Sequence, residues 1–128
     1  MVKIVIPGRL PGLNEYIREC RKNQFAGGKM KRDDESRISW HINHQARDVK
    51  IVEPVRMVYR WHEVNRRRDL DNISSYGRKV IQDALVACEV LPDDGWNNIT
   101  GFEDYFYVDK TNPRIEVEIY EKTEDETD

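Results

Sequence analysis

At 128 residues the chain has the size of one compact domain with room for a modest core. Hydrophobic residues at 38% and charged residues at 35% exclude a chain embedded in membrane and one with too little apolar content to fold. The net charge of −3 is uneven: the last eight residues hold five acids and one base, a net of −4, so the rest of the chain carries +1. Bases cluster between Arg18 and Arg37 and again at Arg66, Arg67 and Arg68, so overall charge neither supports nor excludes a polyanionic partner. No apolar run approaches a membrane span, and Met1 to Pro7 is too short for a signal-peptide core, which predicts a cytoplasmic protein with no membrane partner. Cys20 and Cys88 stand in no metal-finger spacing and are expected to be buried, reduced thiols.

Val2 to Ile6 reads as a strand closed by Pro7-Gly8 and Pro11-Gly12, and Asn14 predicts the cap of a short helix reaching about Lys22. Asn23 to Asp33, with Gly27-Gly28 and many bases, reads as a mobile loop. Asp33 or Asp34 then caps a helix to about Lys50, in which Ile38, Ile42, Gln45 or Ala46, and Val49 recur at helical spacing. Val55, Met57, Tyr59 and Trp61 alternate with Arg56, Val58, Arg60 and His62, the period of a half-buried strand. This strand runs into Arg66-Arg67-Arg68-Asp69-Leu70-Asp71-Asn72. A long helix follows, with Val80, Ile81, Ala84, Leu85 and Cys88 on one face and Pro92 as its stop, which leaves Asp93-Asp94-Gly95 in a loop at its far end. Gly101 to Val108 and Pro113 to Tyr120 alternate as strands and predict a hairpin across Asp109-Lys110-Thr111-Asn112. The element order predicts an α+β fold of two layers, a mixed β-sheet packed with helices. One domain is expected over residues 1–120, with residues 121–128 as a disordered acidic tail.

The chemistry concentrates at the end of the second strand. Two aspartates separated by one residue of extended backbone point to the same side, so Asp69 and Asp71 can reach one divalent cation. Arg66, Arg67 and Arg68 supply forked donors that suit phosphate oxygens. Asp94, beyond the helix, offers a further carboxylate. A phosphodiester is anionic and resists attack by water; a divalent cation neutralises its oxygens, activates a water and stabilises the departing alkoxide. Mg2+ suits carboxylate oxygens completed by water and substrate phosphate, with Mn2+ as a substitute. Against this stands a plainer reading, in which Asp69 or Asp71 caps the following helix and Asp93-Asp94-Gly95 is a turn. Each motif taken singly favours the plainer reading; the strand end, the flanking arginines and the second acidic site together favour the metal.

The run Arg66-Arg67-Arg68-Asp69-Leu70-Asp71-Asn72, then Lys79-Val80-Ile81-Gln82-Asp83-Ala84-Leu85, then Val90-Leu91-Pro92-Asp93-Asp94 resembles the RusA family of Holliday junction resolvases in order, spacing and residue type. The early strand with Leu10-Pro11-Gly12-Leu13-Asn14 and the two late strands agree loosely with the family layout. The resemblance implies a RusA-like domain acting as a homodimeric, Mg2+-dependent endonuclease. Such an enzyme, a crossover junction endodeoxyribonuclease, cuts branched DNA, the four-way junction, by paired symmetrical nicks during recombination and repair. It implies metal ligands at Asp69, Asp71 and Asp94, with Asp93 a neighbour that tunes the site, and it favours phosphate contacts by Arg66, Arg67 and Arg68.

One departure concerns the family's functional lysine, which stands one helical turn after the second aspartate. Here that place holds Ser75, and the first lysine is Lys79. The difference resembles a four-residue insertion around Ser74-Ser75-Tyr76-Gly77, which in continuous helix moves Lys79 by roughly 6 Å along the axis. Either Gly77 lets the extra residues bulge out, or Lys79 no longer reaches the scissile phosphate. Lys79 reads equally well as an exposed helix lysine paired with Asp83 at i,i+4, and Asp83 as structural.

His41-x-x-His44 and His62 lack the glutamate of a metalloprotease motif and read as polar surface. Tyr105, Phe106 and Tyr107 suit stacking on bases, but strand alternation sends some of them into the core. Two rivals accompany the resolvase reading: a nuclease for other branched DNA, and a catalytically inactive DNA-binding module whose carboxylates only cap helices.

Overall fold

The computed structural model describes residues 1–122. Among these, a four-stranded mixed sheet carries three helices, in the order β1 (Val2–Pro7), α1 (Leu13–Lys22), α2 (Ala26–Ala46), β2 (Val55–Glu63), α3 (Leu70–Ala87), β3 (Ile99–Val108) and β4 (Arg114–Glu121). The strand order is β1-β4-β2-β3. Alternation in β2 has the expected consequence, since Val55, Met57, Tyr59 and Trp61 are all at most 1% exposed. They join Ile4 and Ile6 of β1, Ile115, Val117 and Ile119 of β4, Ile38 and Ile42 of α2, and Val80, Ile81 and Leu85 of α3 in one core. Residues of β2 and β4 between these carry paired charges: Arg60 Nε donates to Glu118 Oε2 at 2.9 Å, and Arg114 Nε to Glu116 Oε2 at 2.8 Å.

The expected hairpin of β3 and β4 does not form. β3 lies parallel to β2, the arrangement that a crossover through α3 produces, and β4 lies antiparallel between β1 and β2. Burial explains the choice: every second residue of β4 is apolar and buried, which suits a central strand, whereas β3 is largely half-exposed and suits an edge. The connection carries no two-residue hairpin turn. Instead Asp109 N–H donates to Glu63 O at 2.7 Å, and Asp109 Oδ1 accepts from Asn112 N–H at 3.1 Å, so the chain passes over the end of β2.

The helical layer departs from expectation where glycine was read as loop. The break between α1 and α2 is only residues 23–25, where Asn23 Oδ1 accepts the N–H groups of Phe25 and Ala26 at 2.8 and 3.0 Å. Gly27 lies inside α2, so close to Cys20 that a Cβ would strike its Sγ. Asp33 and Asp34 are therefore helix-interior residues rather than caps, and α2 ends at Ala46, short of Lys50. α1 begins at Leu13 with Gly12 at the cap, its N–H donating to Glu15 Oε1 at 3.2 Å, so Asn14 is not the cap. α3 ends before Pro92 is reached: Glu89 adopts a left-handed φ of 62°, and Cys88 N–H closes onto Ala84 O at 2.9 Å. Cys88 is half-buried and Cys20 exposed rather than buried; both are free thiols. β4 extends to Glu121, one residue into the expected tail, and residues 123–128 lie outside the described residues.

Candidate metal and nucleic-acid site

β2 ends at Glu63, and residues 64–69 carry the chain to α3. The Glu63 side chain is buried and accepts from Arg9 Nη2 at 2.7 Å, with Arg68 Nη1 at 3.9 Å. Arg68 also donates to Leu10 O at 3.0 Å and to Glu15 Oε1 at 2.5 Å. Its guanidinium is thus turned inward, stapling the motif to residues 9–15. Arg66 and Arg67 behave differently. Both are exposed, and among the described residues neither guanidinium takes part in a hydrogen bond or ion pair.

Asp69 occupies the N-cap position of α3 with extended backbone (φ −66°, ψ 153°), while Asp71 lies in the first helical turn. The Asp-x-Asp pair is therefore not a strand segment, because the helix starts at Leu70. Strand alternation does not bring the two carboxylates together; they share the start of one helix. Asp69 makes no side-chain capping bond, so the plain capping role is not realised. Both residues are exposed, and among the described residues neither carboxylate has an ion pair or side-chain hydrogen bond. Both stand at the helix end where partial positive charge favours anions.

α3 runs unbroken through Ser74 to Gly77, so the extra turn does not bulge out. Gly77 is packed against the Trp61 ring: a Cβ would lie 3.0 Å from Trp61 Cζ3 and Cη2 and 3.3 Å from Leu10 Cδ1. Tyr76, one residue earlier, donates its hydroxyl to Asp34 Oδ2 at 2.7 Å, anchoring α3 to α2. Lys79 Nζ stands 3.0 Å from Asp83 Oδ1 and 3.4 Å from Asp94 Oδ2. The hydrogen bond to Asp83, more than any other contact, holds the Lys79 ammonium above its usual value. Burial alone would raise the Asp83 carboxyl, but hydrogen bonds from Lys31 and Lys79 outweigh it and hold it below its usual value, with Lys31 Nζ 2.8 Å from Oδ2. Asp83 is thus tied into a two-lysine bridge.

These contacts place Asp94 beside the middle of α3. Asp71 and Lys79 are eight residues apart, about 12 Å along the axis. Among the described residues no three His, Cys, Asp or Glu side chains gather closely enough to hold a metal, so Asp69, Asp71 and Asp94 do not form such a group within one chain. Asp93 is exposed, and its Oδ1 accepts the Asp94 N–H at 2.9 Å. The donor chemistry nonetheless suits Mg2+. That ion is usually held by one or two carboxylates with waters and substrate phosphate, rather than by a closed protein cage. An exposed, unpaired carboxylate pair fits this form.

The remaining expectations separate cleanly. Phe106 packs partly into the core, whereas Tyr107 stacks on His62 with ring centres 4.7 Å apart and accepts from Arg60 Nη1 at 2.7 Å, and Tyr105 lies beneath Arg60. His44 stacks on Trp40 at 3.7 Å and engages Trp40 O at 2.9 Å through Nδ1. Two features had no periodic signal in the sequence. An open cavity of about 490 Å3 lies between the motif and β3, with Arg66, Leu70, Ile73, Phe106 and Val108 in its wall. Trp96, two residues beyond Asp94, is 98% exposed.

Compared with known proteins, the chain matches no protein-family model and no curated protein. The resemblance to the RusA family therefore rests on the motif residues themselves. No helix among the described residues is long and apolar enough to cross a membrane.

Proposed function

We propose that the chain is a Mg2+-dependent endonuclease that nicks four-way DNA junctions. The observation that carries this reading is the exposed, unpaired Asp69 and Asp71 beside the exposed, unpaired Arg66 and Arg67 where β2 hands over to α3. Carboxylates and arginines left together in water, with no partner of their own, match a ligand that carries both a divalent cation and phosphate. Asp69 and Asp71 would hold the cation, which would supply charge neutralisation at the phosphate and activation of water, while Asp94 stays with Lys79 beside the middle of α3. Arg66 and Arg67 bind the backbone on either side, Arg68 fixes the motif to residues 9–15, and Lys79 offers its ammonium to the phosphate. A four-way junction has approximate two-fold symmetry, so a homodimer would present two such sites to opposing strands and select the junction by shape and deformability.

The test is cleavage of a synthetic four-way junction in Mg2+ or Mn2+, with a flap and a linear duplex for comparison. The unaltered protein should nick the junction preferentially, and Asp71→Asn should slow nicking by about 100-fold or more, a carboxylate ligand having been lost. A variant as fast as its parent removes the metal site, and equal cutting of all three substrates removes the junction preference. A second reading, an inactive junction-binding module, is favoured by the Lys79–Asp94 contact, which neutralises one expected ligand. Tight junction binding with no Mg2+-dependent nicking would make that second reading the right one.

A further inference from the structure

We infer that β3 is the edge along which two copies of this chain pair, antiparallel about a two-fold axis at Tyr105, joining their four-stranded sheets into one. Such pairing needs neither DNA nor metal, so it goes beyond the nuclease reading and stands without it. The two edges of the sheet are treated differently. β1 carries Lys3 and Pro7, and its outward backbone groups find partners: Val5 N–H donates to Gln45 Oε1 and Val5 O accepts from Gln45 Nε2, both at 2.7 Å, while Pro7 O accepts from Arg37. These are devices that keep an edge strand from pairing with another chain. β3 has none of them beyond Gly101. It is ten residues long, about 33 Å, without Lys or Pro, and its one irregularity lies at the start, where Val55 faces Ile99 and Arg56 faces Gly101. Among the described residues no side chain bonds its backbone from Asp104 to Val108.

The surface of β3 identifies the occupant. Phe102, Tyr105, Tyr107 and Val108 are 39–50% exposed, and with Leu70 at the start of α3 they are five of the ten large apolar side chains left exposed among the described residues. Such a concentration along one strand marks a protein interface. A knob and a hole then lie on the same surface. Phe102 is on the helical side of the sheet, beneath Arg78 of α3. The open cavity of about 490 Å3 is on that side too, with Leu70, Ile73 and Val108 in its wall. Residues opposite one another in antiparallel strands share a face, so pairing centred on Tyr105 sets Phe102 opposite Val108 of the second copy, at the wall of that copy's cavity. The two-fold axis repeats the contact, and each Phe102 ring enters the other cavity. Charge permits this register. Glu103 meets Tyr107 and Asp104 meets Phe106, whereas pairing centred on Glu103 or Asp104 would set a carboxylate against its own copy. A second copy therefore fits the strand in shape, apolar surface and charge at once.

The oligomeric state is measured by sedimentation equilibrium over a wide concentration range, without DNA or metal. The unaltered protein should be a dimer. Phe102→Glu and Val108→Lys, each at a half-exposed position, should each weaken the dimer about tenfold or more, with cooperative thermal unfolding retained as the check that the chain still folds. The double variant should regain dimer, because position 102 of one copy then faces position 108 of the other with opposite charge. In a chain carrying Cys20→Ser and Cys88→Ser, Tyr105→Cys should give a disulfide-linked dimer on oxidation, since opposed residues lie within disulfide reach, and Lys3→Cys on β1 should not. An unaltered protein that stays monomeric at every concentration overturns the inference and leaves the edge to an extended segment of another protein. A dimer unweakened by both single variants overturns it too, as does a Tyr105→Cys variant that fails to cross-link. The nuclease reading fails separately: a dimer that nicks no branched DNA removes that reading alone, and a monomer that nicks removes this inference alone.

Discussion

Replacing Gly77 by Ala tests whether the extra turn of α3 is as tightly packed as its geometry indicates. In an open helix the change stabilises by about 0.8–1 kcal/mol through propensity. Here the new Cβ would sit 3.0 Å from two Trp61 ring atoms and 3.3 Å from Leu10 Cδ1. Trp61 has little room to yield: it is 1% exposed, its Nε1 donates to Asp104 Oδ1 at 2.9 Å, and its ring stacks near Tyr59. Overpacking a fixed neighbour costs about 1–3 kcal/mol, so after the propensity gain the net expectation is a destabilisation of about 0–2 kcal/mol. For a domain of this size the upper end corresponds to a fall of several degrees in Tm. Urea unfolding of the parent and Gly77→Ala measures it directly, with unchanged m-values required for the comparison. A variant about 1 kcal/mol more stable than its parent would refute the reasoning. Gly77 would then stand in open space, and the close contact between α3 and Trp61 would be wrong.

The two kinds of arginine should part company. Arg68→Ala should destabilise by about 1–3 kcal/mol, because the Leu10 carbonyl and Glu15 lose a charged donor, whereas Arg67→Ala should change stability by under about 0.5 kcal/mol. Arg67→Ala should instead weaken DNA binding uniformly and reduce its salt slope by about one, and an unaltered slope would remove Arg67 from the phosphate contacts. Asp83 is held below its unfolded value, so its stabilisation is fully present above that value and is lost as pH falls through the folded one. The stability difference between Asp83→Asn and its parent should therefore be largest near neutrality and shrink below about pH 4; a difference independent of pH would contradict the two-lysine bridge. Lys79→Ala should alter stability little, since the side chain is 58% exposed, while slowing nicking about tenfold or more if its ammonium serves the phosphate. Undiminished nicking would leave Lys79 a helix lysine only.

The residues reveal elements more readily than partners. Period-two alternation in β2 and β4 identifies both strands and their buried faces, because side-chain direction is a local property. Pairing is not local: the same alternation fits β4 beside β3 or between β1 and β2, and only the depth of burial across the whole sheet decides. Gly27 misleads for a related reason. A glycine pair looks like a loop from its own propensity, yet here the missing Cβ admits Cys20 and the helix continues. Within the candidate site, the exposure of Asp69, Asp71, Arg66 and Arg67 followed from residue type, but the spacing misled, because α3 begins at Leu70 and the two aspartates share a helix start rather than a strand face. The inward turn of Arg68 was not legible, since Glu15 and the Leu10 carbonyl lie more than fifty positions away in sequence. Trp96 left no pattern at all, because a single exposed ring has no period.

The extra turn of α3 links these observations. It is held by Gly77 against Trp61 and by Tyr76 against Asp34, both core or near-core contacts, so the position of Lys79 along the helix is fixed by packing. Its consequence is that Lys79 meets Asp94 at 3.4 Å as well as Asp83 at 3.0 Å, and Asp83 keeps Lys31 as a second partner, so the middle of α3 carries two lysines shared between two aspartates.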